Sequence, residues 1–405
     1  MKTILFKVWK FPQLSETFIV NQIVLAIRLG YDVRILVGEF SDISKNGNLQ
    51  LFERFNLQDK IIIEDYKVPL NKVQRIIKAG QLVLENLRLL PKLKSYYKES
   101  GKKGVLPLYE FFFYEQFRAI DIFHIQFGTN KHPIDLLKKV GLLKNRLIVS
   151  FHGHDLYFPI NRRIPNNGYY DSLFNQADYL IANTPFLKSK LLELNAPEDK
   201  IKIIPVSVDT NFFQPLSMGT TSKIVKLLTV GRLDELKGQK YGIEAVKKLI
   251  SSGYVLEYYI AGQGSYLKKL QSQVKRLKLE KHIFFTGALS QLQIKKLMQE
   301  SDVFLMTSIT NSLGMAESQG LVTAEAQACG LPVIAFDSGG IKYTLEEGKS
   351  GFLCPEKDLE CYTSKIELLL KDEVLRNKMG KDAVTFIDKE YSEHSVIKKW
   401  KEVYG

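Results

Sequence analysis

The sequence predicts an α/β protein made of two Rossmann-like, doubly wound domains that face a cleft. Three observations carry this prediction. The chain has 405 residues, which is more than one hydrophobic core usually supports. Hydrophobic residues make up 45% of it and charged residues 25%, as in folded globular proteins. Apolar runs of strand length alternate with amphipathic segments of helix length, which is the pattern of parallel βαβ units.

The apolar runs that predict strands divide between the two halves of the chain. In the first half they are Thr3–Val8, Val33–Gly38, Lys60–Glu64, Ile122–Phe127, Leu147–His152, Tyr179–Asn183 and Lys202–Pro205. In the second half they are Lys226–Val230, Leu256–Ala261, His282–Thr286, Val303–Met306, Pro332–Ala335 and Gly351–Leu353.

A stretch rich in turn-forming residues, Val206–Ser222, separates the two sets of strands. We therefore predict an N-terminal domain over 1–206 and a C-terminal domain over 223–385. The remaining segment, 386–405, is predicted to form a helix that crosses back to the first domain.

The cysteines and the hydropathy of the chain indicate the cellular compartment in which the protein is expected. The three cysteines, Cys329, Cys354 and Cys361, have a spacing that fits neither a disulfide framework nor a zinc site, so we expect a reducing compartment. The first ten residues are interrupted by lysines and lack a small-residue cleavage site, so they predict a strand and not a signal peptide. No run approaches the roughly 18 apolar residues of a spanning helix. The cytoplasm is the expected location.

The formal net charge of +13 indicates an acidic partner. Much of this charge lies in segment 66–104, where lysines and arginines accompany leucines and isoleucines at helical spacing. One interpretation is a basic amphipathic segment that binds an anionic membrane surface from outside the bilayer. The other is a solvated basic face over an ordinary core helix. Nucleic acid is disfavoured, because its binding face should interleave exposed aromatic side chains with the charges.

The strongest motif runs from residue 311 to residue 340. Glu317 and Glu325 are separated by seven residues, and Gly320 stands between them just before a segment of helix-forming composition. The backbone amides of Gly320, Leu321 and Val322 would open this helix and offer a site for a pyrophosphate. Glu325 could accept hydrogen bonds from ribose hydroxyls, and Glu317 could reach a sugar.

A second motif, residues 231–238, follows the strand that ends at Val230. Arg232 and Lys237 are five residues apart at the carboxyl end of that strand. A guanidinium fork and an ammonium at this place would neutralise a diphosphate. Gly262 and Gly264 form a tight turn after the next strand, where either contact with a ligand or close packing would explain them.

In the first half, a buried strand is followed by polar residues at 152–155. His152 is the candidate catalytic residue, and His154 and Asp155 could orient it. Two alternatives stay open: a purely structural role for His152, and a metal site formed by the two histidines and the aspartate. No further Cys or His is placed to complete such a site, and no metal is expected.

These motifs resemble retaining glycosyltransferase family 4. The E-x7-E element, its continuation EAQACGLPVIAFDSGG and the GR-x4-KG element carry the resemblance, and it extends over nearly the whole chain. The resemblance implies the GT-B fold, with an acceptor-binding first domain and a donor-binding second domain. It also implies transfer from a nucleoside-diphosphate sugar to a lipid-linked or other saccharide acceptor with retention of configuration, without a metal or an additional cofactor. His152, Asp155 and Glu317 would then be the catalytic residues.

A narrower resemblance begins at Phe11. The pattern P-x-L-S-E-T-F-x-x-N-Q is similar to exopolysaccharide glycosyltransferases of the colanic-acid and amylovoran type. Many relatives have a glycine-rich loop at this place, so Ser15, Glu16 and Thr17 become candidates for acceptor or sugar contacts. Gln126 stands where the subgroup often has a second histidine. A nucleotide-sugar epimerase of the same architecture is the alternative enzyme.

Overall fold

The computed structural model describes residues 1–13, 16–41, 49–216 and 224–405. These residues form two compact units. Unit 1 contains residues 1–182, 190–202 and 403–405, and unit 2 contains residues 183–189 and 203–402. Part of the separating stretch and the candidate Ser15 lie outside the described residues.

Unit 1 is built on a seven-stranded sheet of order β3-β2-β1-β4-β5-β6-β7. From β3 to β6, adjacent strands pair in parallel. The strand order reverses between β1 and β4, which is the feature that opens a crevice at the carboxyl ends of the strands in a doubly wound sheet. The strands are β1 Thr3–Phe11, β2 Asp32–Phe40, β3 Ile61–Ile63, β4 Ile122–Gln126, β5 Arg146–Phe151, β6 Tyr179–Ala182 and β7 Ile201–Ile203.

Unit 2 repeats this plan with six strands of order β10-β9-β8-β11-β12-β13, all paired in parallel. Here the order reverses between β8 and β11. Apolar clusters cover both faces of the sheet, as burial of a parallel sheet requires. The strands are β8 Val225–Val230, β9 Leu256–Ala261, β10 Ile283–Gly287, β11 Val303–Met306, β12 Val333–Phe336 and β13 Gly351–Cys354.

Helices connect the strands in both units. Those that begin in unit 1 are α1 Thr17–Arg28, α2 Leu49–Arg54, α3 Lys72–Glu85, α4 Leu90–Ser100, α5 Leu106–Glu115, α6 Ile134–Lys139 and α7 Asp171–Gln176. Those that begin in unit 2 are α8 Pro185–Glu193, α9 Gln239–Ser251, α10 Leu267–Arg276, α11 Gln291–Gln299, α12 Leu321–Ala328, α13 Leu359–Lys371, α14 Glu373–Tyr391 and α15 Glu393–Tyr404. The alternation of strands and helices confirms the predicted fold class, and every predicted strand is present with small shifts at its ends. No helix of the described ranges is long and apolar enough to cross a membrane.

The last helix begins in unit 2 and its final residues belong to unit 1. Within unit 1, the buried Tyr404 hydroxyl lies 2.8 Å from Nδ1 of His124 on β4. The carbonyl of Val403 accepts a hydrogen bond from Arg146 on β5 at 3.1 Å. These bonds attach the end of the chain to the centre of the first sheet.

Helices α3 to α5 form an insertion between β3 and β4, and a buried polar network lies beneath it. Lys7 of β1 donates to the Tyr114 hydroxyl at 2.7 Å and to the His132 carbonyl at 2.6 Å. Tyr114 of α5 in turn donates to Glu64, which follows β3, at 2.5 Å. Burial lowers the pKa of Lys7 even though Glu64 lies 3.3 Å away. Because a charge removed from water needs partners, this network fixes α5 to the sheet.

Cys354 and Cys361 form a disulfide, so the prediction of no disulfide was wrong. Cys354 ends β13 and Cys361 lies in the first turn of α13, and the short connection brings their Cα atoms to 5.7 Å. The missing signal was the turn between them, which the spacing of the two cysteines does not reveal. Cys329 is free and buried, and burial raises its pKa to about 12.

Candidate functional site

The crevice of unit 2 lies where β8 and β11 are neighbours. The loop after β8 carries Arg232 and Lys237, and the loop that follows β11 carries Glu317 before it enters α12. The ammonium of Lys237 lies 2.5 Å from the carboxylate of Glu317, and each side chain is only 16% exposed. The Arg232 side chain is 71% exposed, with its Nε 3.7 Å from Asp234. The structure therefore brings three predicted residues to one edge of one sheet.

Backbone contacts hold Lys237 in place. Its amide donates to Asp234 at 3.1 Å, and its carbonyl accepts from the hydroxyl of Thr307, the residue after β11, at 2.9 Å. Gly238 has a φ of +61°, and a Cβ there would overlap the Thr307 carbonyl. The glycine of the GR-x4-KG element is thus required for the close approach of the two loops.

Gly262 and Gly264 serve the same purpose. A Cβ on Gly262 would overlap the carbonyl of Gly231, and one on Gly264 would overlap the backbone of Leu233. The amide of Leu233 also donates to the Gln263 carbonyl at 2.8 Å. These contacts favour the packing interpretation of the two glycines, since they pin the β8 loop that carries Arg232.

The loop of Glu317 is fixed by the two glycines that end the long motif. The amide of Gly340 donates to the Glu317 carbonyl at 2.7 Å, and side chains on Gly339 or Gly340 would overlap the carbonyls of residues 317 and 318. Gln319 exchanges two hydrogen bonds of 2.9 Å with the backbone of Val206. Glu317 is therefore presented from a rigid loop.

Helix α12 begins directly after Gly320, whose φ of +79° turns the chain into the helix. The first amides of a helix lack intrahelical acceptors, and those of Leu321 and Val322 stand at this start. A helix start carries partial positive charge. An anion site at these amides stays a prediction.

Glu325 lies one turn into α12 and is half-buried. Its carboxylate has no hydrogen bond or ion pair with any residue in the described part of the chain. Burial without a compensating cation raises its pKa to about 8. A carboxylate kept without partners in a folded protein is costly, and hydroxyl donors from a ligand would relieve that cost.

In unit 1, His152 follows β5 and takes part in a chain of side-chain hydrogen bonds. Its Nε2 lies 2.8 Å from Oε1 of Gln126, and Nε2 of Gln126 donates to Gln22 of α1 at 2.8 Å. Because the glutamine carbonyl oxygen accepts, this arrangement assigns the proton to Nε2 of His152. Burial, together with the nearby His154, lowers the pKa of His152 to about 3. The imidazole is neutral at physiological pH.

Asp155 is fully buried and bonds backbone, not the imidazole. Its carboxylate accepts from the amides of His152 at 3.1 Å, Gly153 at 3.0 Å and Gly128 at 2.9 Å. Burial raises its pKa in spite of these bonds. Asp155 is therefore a positioning residue, which ties the loop after β5 to the loop after β4. His154 is exposed and packs its ring 4.7 Å from the ring of Phe127.

No role was assigned from the sequence to Gln22, the last residue of the motif that begins at Phe11, and Tyr404 was not singled out. The first continues the hydrogen-bond chain from His152, and the second bonds His124, which itself lies 3.4 Å from Gln126. The sequence did indicate that such partners exist, because β4 carries polar residues at buried positions and buried polar groups require hydrogen-bond partners. The partners themselves lie far away in the chain. Within the described ranges, no three His, Cys, Asp or Glu residues are grouped as a metal site would need.

Comparison with family models matches both parts of the chain. Residues 15–212 match the model described as Glycosyltransferase Family 4. Residues 214–385 match the model described as Glycosyl transferases group 1. The first match contains His152 and Asp155. The second contains Arg232, Lys237 and the glutamates at 317 and 325.

Similar proteins extend over the same range. The amylovoran biosynthesis glycosyltransferase AmsK of Erwinia amylovora is 28% identical over 98% of each chain. The putative colanic acid biosynthesis glycosyltransferase WcaL of Escherichia coli K12 is 28% identical over 89% of each chain. The crystal structure of Anabaena Alr3699/HepE in complex with UDP covers 99% of each chain with a TM-score of 0.72 and 19% identity. These comparisons confirm the predicted resemblance and the GT-B fold.

Proposed function

The chain belongs to the glycosyltransferases, with a family 4 region followed by a group 1 region, and from this premise we propose what it transfers and how. The donor is a nucleoside-diphosphate sugar bound in the crevice of unit 2. The acceptor is a saccharide, which we propose to be lipid-linked, and the transfer retains the anomeric configuration without a metal ion. The observation that carries the proposal is the half-buried Lys237–Glu317 pair, whose glutamate lies three residues before Gly320 and the start of α12.

The diphosphate would take the place of the Glu317 carboxylate on Lys237. The exposed Arg232 would provide the second cation, and the first amides of α12 would complete the anion site. Cations and dipoles already in position stabilise the negative charge that develops on the leaving diphosphate. Release of Glu317 from Lys237 would free this carboxylate to accept hydrogen bonds from the donor sugar.

Glu325 would bind the nucleoside. Its unpartnered carboxylate can accept hydrogen bonds from two adjacent ribose hydroxyls. This step explains why a half-buried acid without a cation is placed one turn into α12.

Retention of configuration is proposed to follow front-face attack. The acceptor hydroxyl would attack the anomeric carbon while the bond to the diphosphate breaks, and its proton would pass to an oxygen of the departing phosphate. In this proposal Glu317 and Glu325 accept hydrogen bonds from the donor, and neither takes the role of a glycosidase nucleophile. Neutral His152 would act as a hydrogen-bonding group at the acceptor and not as a cation.

The relatives suggest the pathway class. AmsK and WcaL are named for amylovoran and colanic acid biosynthesis, and we propose that this chain likewise adds a sugar to an exopolysaccharide or other surface glycan. HepE is known with UDP and with UDP-glucose, so uridine nucleotides are the first donors to test. The proposed location is the cytoplasmic face of the membrane.

The test is incubation of the purified chain with a panel of UDP- and GDP-sugars, with and without lipid-linked saccharides. We expect release of the nucleoside diphosphate to depend on a saccharide acceptor and to give an α-configured product from an α-configured donor. Donor conversion with no acceptor and no glycoside product would instead support the epimerase alternative. Binding of DNA or RNA with steep salt dependence, and no effect of any sugar nucleotide, would overturn the assignment.

We also propose that segment 66–104 binds an anionic membrane surface. An ordinary core helix would bury its branched side chains, yet Ala79 is the buried residue of α3. Most of its larger apolar residues are exposed instead: Ile76, for example, is 65% exposed, whereas Leu82 and Val83 are half-buried. We call this set the apolar-basic face; it comprises exposed Leu70, Val73, Ile76, Ile77, Leu84 and Leu87, with exposed Lys72, Arg88 and Lys94 beside them in the sequence.

Vesicle sedimentation tests this surface. Wild-type protein should bind vesicles that contain phosphatidylglycerol and should not bind vesicles of phosphatidylcholine alone. Ile76→Ser combined with Ile77→Ser should weaken binding at least about tenfold, because each buried isoleucine contributes about 1.5–3 kcal/mol. Val374→Ser, at an exposed valine on α14, is the matched control and should bind as the wild type does. Equal binding by both variants would contradict the proposal.

A further inference from the structure

The Cys354–Cys361 disulfide lies at the edge of the unit 2 sheet where the parallel strands end, which is also the edge of the crevice. We infer that this cysteine pair is a regulatory thiol–disulfide site. The closed disulfide holds the crevice in its binding geometry, and reduction of the bond weakens the binding of the sugar nucleotide. The inference rests on the proposed function for the identity of that ligand.

The proposed location of the chain is the first argument. Permanent disulfides belong to oxidising compartments, whereas the disulfides of cytosolic proteins are usually transient, catalytic or redox-sensing. A disulfide in a protein that acts at the cytoplasmic face of a membrane is therefore better explained as a regulatory bond than as a permanent one.

The two cysteines differ in their exposure. Cys361, in the first turn of α13, is half-buried, whereas Cys354 is 1% exposed. A thiolate of a cellular dithiol would therefore attack the sulfur of Cys361, and Cys354 would leave as a thiolate and take up a proton. The second thiol of the dithiol then displaces Cys361. In sum, two electrons and two protons pass to the protein, which gains two thiols, and the dithiol becomes a disulfide.

The turn between the two cysteines holds the loop that follows β11. Glu356 lies in this turn, and its carboxylate accepts a hydrogen bond from the backbone amide of Thr310. The turn is itself attached at both ends. The carbonyl of Cys354 accepts from the amide of Asp337 at 2.8 Å, and the disulfide joins the turn to Cys361. Reduction would remove the covalent attachment and leave Glu356 less firmly placed.

Thr310 belongs to a segment that positions the cation of the crevice. The hydroxyl of Thr307 donates to the carbonyl of Lys237 at 2.9 Å. The amide of Ile309 donates to the carbonyl of Leu236 at 2.8 Å. A displacement of the turn would therefore reach the Lys237 loop through groups that are already bonded to one another. A contiguous set of hydrogen bonds can carry energetic coupling between two sites.

The test compares the oxidised protein with the reduced protein. Alkylation in denaturant should find one thiol in the oxidised form, that of Cys329, and three in the reduced form. Isothermal titration with UDP and GDP then measures the affinity of each form. The oxidised form should bind its nucleotide about fivefold or more tightly, as expected for coupled sites. Three thiols after treatment with an oxidised dithiol, or equal affinities of the two forms, would overturn the inference.

Cysteine variants test the bond itself. Cys361→Ser cannot form the disulfide, so it should bind the nucleotide with the affinity of the reduced wild type after either treatment. Cys329→Ala, at the free cysteine, is the control and should keep the full redox response. The inference fails if Cys361→Ser binds as tightly as the oxidised wild type.

Glutamate variants test the route to the crevice. Glu356→Ala removes the acceptor of the Thr310 amide, so its affinity in the oxidised form should fall to that of the reduced wild type. Glu356→Gln keeps an oxygen that can accept this bond and should restore both the affinity and the redox response. Glu360→Ala, at an exposed glutamate of α13, is the matched control. A Glu356→Ala protein that keeps the full redox response would overturn the role of Glu356.

Hydrogen exchange separates this result from the proposed function. Measured without nucleotide, the amides of residues 307–310 should exchange faster in the reduced form, because the Thr310 amide is held less firmly. Redox-dependent exchange without binding of any nucleotide would refute the proposed function and leave the redox-dependent loop. Nucleotide binding and exchange that are both equal in the two forms would refute the regulatory site alone.

Discussion

The two crevices occupy equivalent positions in sheets of the same topology, but their chemistry is opposite. In unit 2 the half-buried acid Glu317 is held by the cation Lys237, and the exposed Arg232 lies 3.7 Å from Asp234. In unit 1 a cavity of about 280 Å³ is lined by Trp9, Asn130, Asn161 and the acid Glu16, one oxygen of which has no partner among the described residues. The strand order fixes where each crevice opens, and the loop residues decide which groups line it.

The largest effect should come from removing the cation of unit 2. Lys237→Met should lower kcat/KM for the sugar nucleotide by about 10²–10³-fold, because the leaving diphosphate loses a preorganised positive charge. Steady-state kinetics with the donor identified from the panel measures this loss. Lys268→Met, at an exposed lysine of α10, is the control and should keep wild-type activity. Equal turnover of the donor by both variants would contradict the role of Lys237, and with it the chemical difference between the two crevices.

A smaller effect should come from the framework of unit 1. Asp155→Asn replaces one oxygen with an amide that cannot accept from backbone N–H groups, and so breaks at least one of three buried bonds. The free energy of unfolding should fall by about 1–3 kcal/mol, as measured by denaturant titration. Asp199→Asn, at an exposed aspartate, should have little effect. An Asp155 variant with unchanged stability and reduced activity would show a direct catalytic role instead.

The smallest effect concerns Glu325 and pH. Burial raises its pKa to about 8, so before a nucleotide binds the acid should be mostly protonated at pH 7 and mostly ionised at pH 9. The ionised form is the better acceptor for ribose hydroxyls, so affinity for UDP or GDP should rise with pH, by at most about tenfold per unit below 8. Isothermal titration between pH 7 and 9, expressed as the ratio of wild type to Glu325→Gln, isolates this group. A ratio that does not change with pH would contradict the role of Glu325.

Much of the fold could be predicted, because buried parallel strands consist of continuous apolar runs. Strand β11, Val303–Met306, and strand β9, Leu256–Ala261, have the predicted bounds. The position of Arg232 and Lys237 at the crevice of unit 2 was also predictable, since a cationic motif that follows a strand end has a defined place in a doubly wound sheet. The contact of Lys237 with Glu317 was not, because it joins loops that are 80 residues apart.

The cavity of unit 1 shows why the remainder could not be predicted. Trp9 and Gly38 meet only because β1 and β2 pair in a particular register, with Val8 opposite Val37 and Lys10 opposite Glu39. A one-residue shift would turn each side chain to the other face of the sheet. The sequence indicated Glu16 only as a candidate contact and gave no sign that Trp9 stood beside it. The positions of both side chains depend on strand register and packing, which involve residues far apart in the chain.

The buried polar network beneath α3 to α5 would hold the first sheet at a fixed orientation to a bound bilayer. Lys7 of β1 is bonded to Tyr114 of α5 and to the His132 carbonyl. The Tyr109 hydroxyl of α5 also donates to the Arg75 carbonyl of α3 at 2.7 Å, so α3 and α5 cannot tilt relative to the sheet without breaking hydrogen bonds. Contact through the apolar-basic face would therefore set the height of the β1–β4 edge above the lipid. Among membrane-anchored glycans, chain length would then determine which sugar residue arrives at that edge.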